Sequence, residues 1–386
     1  MGAEKGVKPD PSVWLPLLDE HRLNSLPHDT VIEGTLKEGL SLDHPDVVET
    51  LASWPGRAYL LENDGRVEVV LVYQLKTERR SVPWVPALLF LLTLVSTLGS
   101  GAMLAGVDPF DTAFFDIGSL RLPYPTGFDI GALREGIVFA LPFMAVLLVH
   151  EMGHYVAARW HGVTASLPYF LPFPPYYSVV GTLGAFIRLR GPSVRRSVLF
   201  DIGASGPLAS FVVSVPLFVY GLGLSRVVPG SASELTPFLI LFFDQPVWLG
   251  SGLATTTLAM MAGVGPLGDN PVLLHPLALV GWLGLFVTAL NLLPLGQLDG
   301  GHILYAQQPE RQRRFARLFL VSLLAFGFVW RGWWVWAALV LFLHRGGVGH
   351  PPLLQPEPRL GGARAGLAWF LIGVFFLLFV PVPIRL

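Results

Sequence analysis

The chain contains no cysteine. Disulfides, thiol catalysis and thiolate-bound metal are therefore excluded. Charge is also scarce: 14% of the 386 residues are Asp, Glu, Lys or Arg, against about 25% in a soluble domain. The two signs nearly cancel, at net −1. There is no long basic run, so nothing points to a nucleic-acid partner. The first residues, "MGAEKGVKPDPSVW", lack the apolar centre of a secretory signal. Gly6 stands where a myristoylation motif needs Ser or Thr. The first apolar run is expected to act as its own membrane-insertion signal.

What the chain has in excess is apolar surface. Hydrophobic residues make up 52%, gathered in runs that approach the roughly 20 residues needed to span a bilayer. Candidate spans are 84–106, 136–159, 198–222, 276–294, 315–331, 333–344 and 365–383. The 333–344 run is too short to cross alone and is expected to pair with its predecessor around Arg331-Gly332. Segment 235–265, broken by Pro and Gly, is expected to be one irregular span or an interfacial piece. The fold class is a polytopic α-helical membrane protein, with roughly 6–8 spans between 81 and 386 and a catalytic core over about 135–305.

Residues 1–80 are of different material, with ordinary charge density. "TVIEGTLKEGL" alternates like a strand, "HPDVVETLASW" reads as a short helix, and "RAYLLENDGRVEVVLVYQL" reads as two strands joined across Asn63-Asp64-Gly65. These features predict a small soluble α+β domain. Arginines set the expected orientation. Arg79 and Arg80 precede the first span; Arg188, Arg190, Arg195 and Arg196 separate the second from the third; and Arg311, Arg313, Arg314 and Arg317 precede the fifth. The loop from Asp108 to Glu135 carries mainly acids. The positive-inside rule then predicts a multi-pass protein of the cell membrane with a cytosolic N-terminus.

One apolar stretch holds ionisable groups. In "VLLVHEMGHYVAARW", His150, Glu151 and His154 form H-E-x-x-H. On a helix, i and i+4 share a face, so both imidazoles can meet one ion, while Glu151 is offset by about 100° and can reach a metal-bound water. Two polar residues satisfied inside a helix bundle would be the plainer explanation. Ionisable groups at membrane depth are costly, however, and need a shared purpose. Catalytic zinc takes three protein ligands and keeps one position open. A third candidate stands in "NLLPLGQLDGGH": Asp299, after an apolar span, followed by Gly300 and Gly301, which would let the backbone bend to aim it.

The pair "HEMGH" and "NLLPLGQLDGG" resembles the site-2 protease family of intramembrane zinc metalloproteases, with its H-E-x-x-H and N-x-x-P-x-x-x-L-D-G motifs. Every signature position matches. "GASGPLAS" resembles the small-residue motif of that family's intervening helix. "LPYFLPFPPYYSVVGTLGAFIRLR" with "FDIGASGPLA" looks closest to the branch with plastid and bacterial members. The resemblance implies one zinc per chain held by His150, His154 and Asp299, with Glu151 as general base and then acid. It also implies that Asn291 steadies the scissile carbonyl or its oxyanion, and that the substrate is a membrane-spanning or membrane-associated protein cut near the cytosolic face. A PDZ domain, carried by many members, has no counterpart between Arg190 and Pro276. The rival readings are another membrane zincin, which would usually take glutamate as third ligand, and a metal-binding transporter or inactive homologue. No inverted repeat favours the transporter, and an intact Glu151 argues against inactivity. Nothing speaks to oligomeric state.

Other residues are assigned modest roles. His302 is expected to be interfacial, and His344 and His350 to lie in a loop. Gly203, Gly206 and Ser210 are expected to be close-packing positions. "VWRGWWVW" suits an interfacial aromatic belt. After the zinc helix, Val179 to Arg190 is β-rich, with Gly181 and Gly184 allowing close backbone approach. This stretch is expected to form a short membrane-associated β segment whose edge pairs with extended substrate.

Overall fold

The computed structural model describes all residues except 1–10, 26–28, 42, 64–65, 75–83, 119, 191–194, 234, 265–269, 344–349, 351–358 and 386. The chain divides into two compact units, one drawn mainly from Met1–Val82 and the other from Pro83–Arg190, Arg196–Pro352 and Pro358–Leu386.

In the first unit, β1 (Leu18–Ser25) and β2 (Asp29–Leu36) precede helix α1 (Pro45–Ser53), followed by β3 (Arg57–Asn63) and β4 (Arg66–Gln74). The four strands form one antiparallel sheet in the order β1-β2-β4-β3. Val67, Val69 and Leu71 recur with period two on β4, and they are buried with Trp14, Leu18, Ile32, Leu36, Val47 and Trp54. Helix α1 begins with Pro at its first position and Asp46 in its first turn, both suited to a helix N-terminus.

The second unit opens with α2 (Trp84–Leu104), the hairpin β5 (Ala113–Ile117) and β6 (Leu120–Tyr124), and α3 (Ile137–Trp160). Next come β7 (Thr164–Ala165), β8 (Tyr169–Pro172), β9 (Thr182–Phe186), β10 (Leu189–Arg190) and α4 (Arg196–Gly223). Among the described residues, three helices are long and apolar enough to cross a membrane: α2, α3 with the turn before it, and α4. The turn between β8 and β9 is fastened to α2: Ser96 Oγ donates to Phe173 O, and Ser100 Oγ donates to Ser178 O at 2.9 Å. Gly181, at φ +70°, lies against the same helix, and a Cβ there would stand 2.5 Å from Ser96 O. The close approach this glycine allows is therefore to α2. At Gly184, φ +106°, a Cβ would meet nothing within 4 Å.

Segment 235–265 is not one irregular span. It folds as the hairpin β12 (Phe238–Phe242) and β13 (Gln245–Leu249) and the short helix α5 (Leu253–Met261). With β11 (Arg226–Val227), β14 (Val272–Leu273) and β15 (Ile384–Arg385), the hairpin makes a five-stranded sheet in the order β11-β14-β12-β13-β15. A short apolar run cannot by its pattern be told from a piece of buried helix, which is why this sheet is hard to foresee. The remaining helices are α6 (Pro276–Asn291), α7 (Asp299–Gln307), α8 (Pro309–Phe326), α9 (Gly332–Leu343) and α10 (Gly362–Leu378). Helix α4 packs against α3, α6, α7 and α10, and so runs through the middle of this unit.

Candidate metal centre

His150, Glu151 and His154 are all buried on α3. Asp299 is the first residue of α7. The turn before it closes tightly: a Cβ on Gly300 would stand 1.9 Å from Leu292 O, and one on Gly301 would stand 2.4 Å from Gly296 O. Glycine at 300 and 301 thus lets α7 fold back against the end of α6 and turn Asp299 towards α3. His150 Nε2 and His154 Nε2 lie 3.2 Å apart, and Asp299 Oδ2 is 3.4 and 3.3 Å from them. Ligands about 2.0–2.1 Å from a tetrahedral zinc stand roughly 3.3 Å from one another. The three atoms therefore match one face of a zinc tetrahedron, and these residues are a group able to hold a metal ion.

The far side of each imidazole decides whether its near side is free for metal. His154 Nδ1 is 2.7 Å from Ile202 O. A carbonyl only accepts, so Nδ1 carries the proton and Nε2 presents a lone pair. His150 Nδ1 is 3.0 Å from Ser210 Oγ, which is 2.9 Å from Thr288 Oγ1. Thr288 in turn donates to Gly284 O at 2.7 Å. An amide nitrogen only donates, and Asn291 Nδ2 lies 3.1 Å from His150 Nε2, so Nδ1 carries the His150 proton and donates to Ser210, whose own proton can go to Thr288 or to the Gly206 and Pro207 carbonyls at 3.2 Å. His150 Nε2 is then bare as well. The two nitrogens and the carboxylate present three lone-pair donors to one buried point, a set suited to a cation. Outer partners that fix ring orientation in this way are typical of metal-bound histidine.

Two neighbours complete the centre. Asn291, the last residue of α6, puts Nδ2 3.1 Å from His150 Nε2. The Glu151 carboxylate faces the backbone N–H of Ile187, just beyond β9. All five residues singled out from the motifs are thus gathered at one place.

The three α4 residues expected to serve packing divide in function. Gly203 packs against His302, whose Cβ an added methyl would approach to 2.8 Å. Gly206 makes room for the His154 ring itself: a Cβ there would lie 2.1 Å from His154 Nε2. Ser210 is more than a packing position, since it receives the His150 proton. Its signal was a hydroxyl in an otherwise apolar helix, where polar groups seek partners. Thr288 and the Ile202 carbonyl were not anticipated. His302 Nδ1 lies 2.8 Å from His350 Nε2. His350 lies outside any helix or strand, as expected, but it is buried, stacks on Tyr305 and donates its N–H to Gln312 Oε1. His344 lies outside the described residues.

Fold and site together give a helical protein with helices long and apolar enough to cross a membrane and a two-histidine, one-carboxylate group able to hold a metal ion. The sequence profile of Peptidase family M50 matches residues 138–329, a span that holds both motifs, and over it the chain is similar to that family. Among curated proteins it is similar to "Probable zinc metalloprotease EGY1, chloroplastic" of Oryza sativa subsp. japonica. Identity is 34% over 223 residues, covering 56% of this chain and 36% of the relative. The protein of that name from Arabidopsis thaliana is 34% identical over 221 residues, 55% of this chain and 38% of the relative. "Probable zinc metalloprotease EGY2, chloroplastic" of Oryza sativa subsp. indica is 29% identical over 258 residues, 66% and 45%. The matched part of the chain thus spans less than half the length of these curated relatives. No solved structure matches significantly.

Proposed function

We propose that the chain is an intramembrane zinc metalloprotease, hydrolysing peptide bonds of membrane-spanning or membrane-associated proteins near the cytosolic face. The observation that carries this reading is the near-equilateral triangle of His150 Nε2, His154 Nε2 and Asp299 Oδ2, with Glu151 beside it. Zinc bound there supplies a Lewis acid and a water whose pKa falls towards about 7. Glu151 stands where it would accept a proton from a metal-bound water and return it to the leaving amine. Asn291 directs an amide N–H at the charge developing on the carbonyl oxygen. Purified protein in detergent is expected to cut members of a panel of single-span proteins and to stop when a zinc chelator is added. Chelator-resistant cleavage would overturn the reading.

Residues 1–80 form the soluble domain in this reading and 81–386 the membrane domain, with the N-terminus in the cytosol. Since the chain has no native thiol, single cysteines report topology cleanly. One between 108 and 134 should react with an impermeant reagent in intact cells, and one between 300 and 314 should not. The opposite pattern reverses the orientation.

Substrate backbone must be unwound before hydrolysis, and its freed polar groups then need partners. Strand β9 can supply them. Among the described residues it pairs with β8 alone, and Ile187 beyond it turns its N–H to Glu151 while Arg188 faces Ser166. Alternate residues of an extended chain face opposite edges, so the edge that continues from Ile187 towards Ala185 leads away from the catalytic carboxylate. Proline placed singly from Thr182 to Ile187 removes one donor at a time. Cleavage should fail at alternate positions with zinc content retained, and full activity throughout would eliminate the strand-edge role.

A further inference from the structure

Asp201 stands one residue before Ile202, the carbonyl that receives the His154 proton. Its carboxylate gathers three hydrogen bonds from two other helical segments. His161 Nε2 lies 2.8 Å from Oδ2, Arg364 Nε lies 2.8 Å from Oδ1, and Arg364 Nη2 lies 2.9 Å from Oδ2. His161 caps the C-terminus of α3, two turns beyond His154 and on the same side of the helix. Helices α3 and α4 are therefore pinned at adjacent α4 residues: at the 201 side chain by His161 and at the 202 carbonyl by His154.

Arg364 enters from the first turn of α10, where the helix dipole disfavours a cation. Its position makes sense through Asp201, not through α10. Helix α10 also packs against α4, α6 and α7, the helices that carry Ile202, Asn291 and Asp299. It lies beyond the residues matched by the M50 profile. An isolated exposed ion pair contributes little to stability. A bidentate guanidinium, by contrast, fixes direction and distance, so what this cluster supplies is register.

We propose that Asp201, held by His161 and Arg364, is a positioning residue for the metal ligand His154, and that α10 is through Arg364 a working part of the metal centre. The proposal rests on the zinc reading above. The cluster sets where the Ile202 carbonyl stands, that carbonyl sets the His154 ring, and the ring sets the donor's aim at the ion. Outer partners of metal-bound histidine typically change affinity or activity by about 10–100-fold when removed.

The test uses the full-length protein in detergent, loaded with zinc and separately with cobalt(II). It compares wild type with Asp201→Asn, Arg364→Ala, His161→Ala and His161→Gln. Asp201→Asn and Arg364→Ala should release zinc to a chelator about tenfold faster, alter the visible cobalt absorption and lower kcat with KM unchanged. His161→Ala should do the same, while His161→Gln, which keeps an N–H donor, should stay near wild type. A purely structural clamp would instead lower the unfolding temperature and leave zinc release and cobalt spectra as in wild type; that result overturns the proposal. Should Asp201→Asn fail to fold, Arg364→Ala carries the test, because that side chain is 47% exposed. A wild type that binds no zinc defeats the metal reading itself, whereas a zinc-loaded wild type with indifferent variants defeats only this inference.

Discussion

Glu151→Gln is expected to keep about one zinc per chain and to lose about 10²–10⁴-fold in cleavage rate, the usual worth of a positioned acid–base group. The three donor atoms that face one another belong to His150, His154 and Asp299, so an amide at 151 removes the proton acceptor and leaves the ion's ligands untouched. Asp299→Asn separates the two roles. It takes the only charged donor from the triangle, so zinc retention should fall together with activity. Metal analysis alongside a cleavage assay reads both variants. A Glu151→Gln enzyme that cuts at a near-normal rate, or an Asp299→Asn protein that titrates with zinc like wild type, would remove the corresponding residue from its role.

Gly206→Ala should strike one of the three clustered donor side chains directly. Alanine is the better helix former by about 1 kcal/mol, so nothing in α4 itself asks for glycine. The methyl would arrive 2.1 Å from His154 Nε2, and the imidazole has little room to retreat, because its other nitrogen is tied to Ile202 O at 2.7 Å. Either the ring turns away from the ion or α3 and α4 separate. Overpacking of this kind costs about 1–3 kcal/mol, and here the cost falls on a metal donor. Zinc retention is expected to drop at least about tenfold, with helix content by circular dichroism unchanged. A Gly206→Ala protein holding zinc as tightly as wild type would show that the ring has another place to sit.

The metal centre was legible because its chemistry is written locally. A four-residue spacing brings His150 and His154 to one helical face, and Asn291, Pro294, Asp299 and Gly300 mark the end of one helix and the start of the next within ten residues. The partners that aim those groups were not legible. Ile202, Ser210 and Thr288 lie far along the chain from the histidines they serve, and each is an ordinary residue of a helix until tertiary packing supplies its neighbour. The His302–His350 contact was hidden in the same way. The helices stood out by length and composition. The sheet formed by β11 to β15 did not, because strands such as "FLILF" carry no alternation to set them apart from buried helix.

The order in which the chain is made has a consequence for the histidine partners. Asp299 follows His154 by about 145 residues, and at roughly 5–20 residues per second it leaves the ribosome roughly 7–30 s later. Through that interval the membrane holds two inward-facing imidazoles with no carboxylate to meet them. Both Nδ1 protons are received by α4, the very next long helix, at Ile202 and Ser210. The nascent chain can thus settle each ring's outward-facing hydrogen bond as soon as α4 is inserted, leaving the two nitrogens that face the ion as the last positions to be filled.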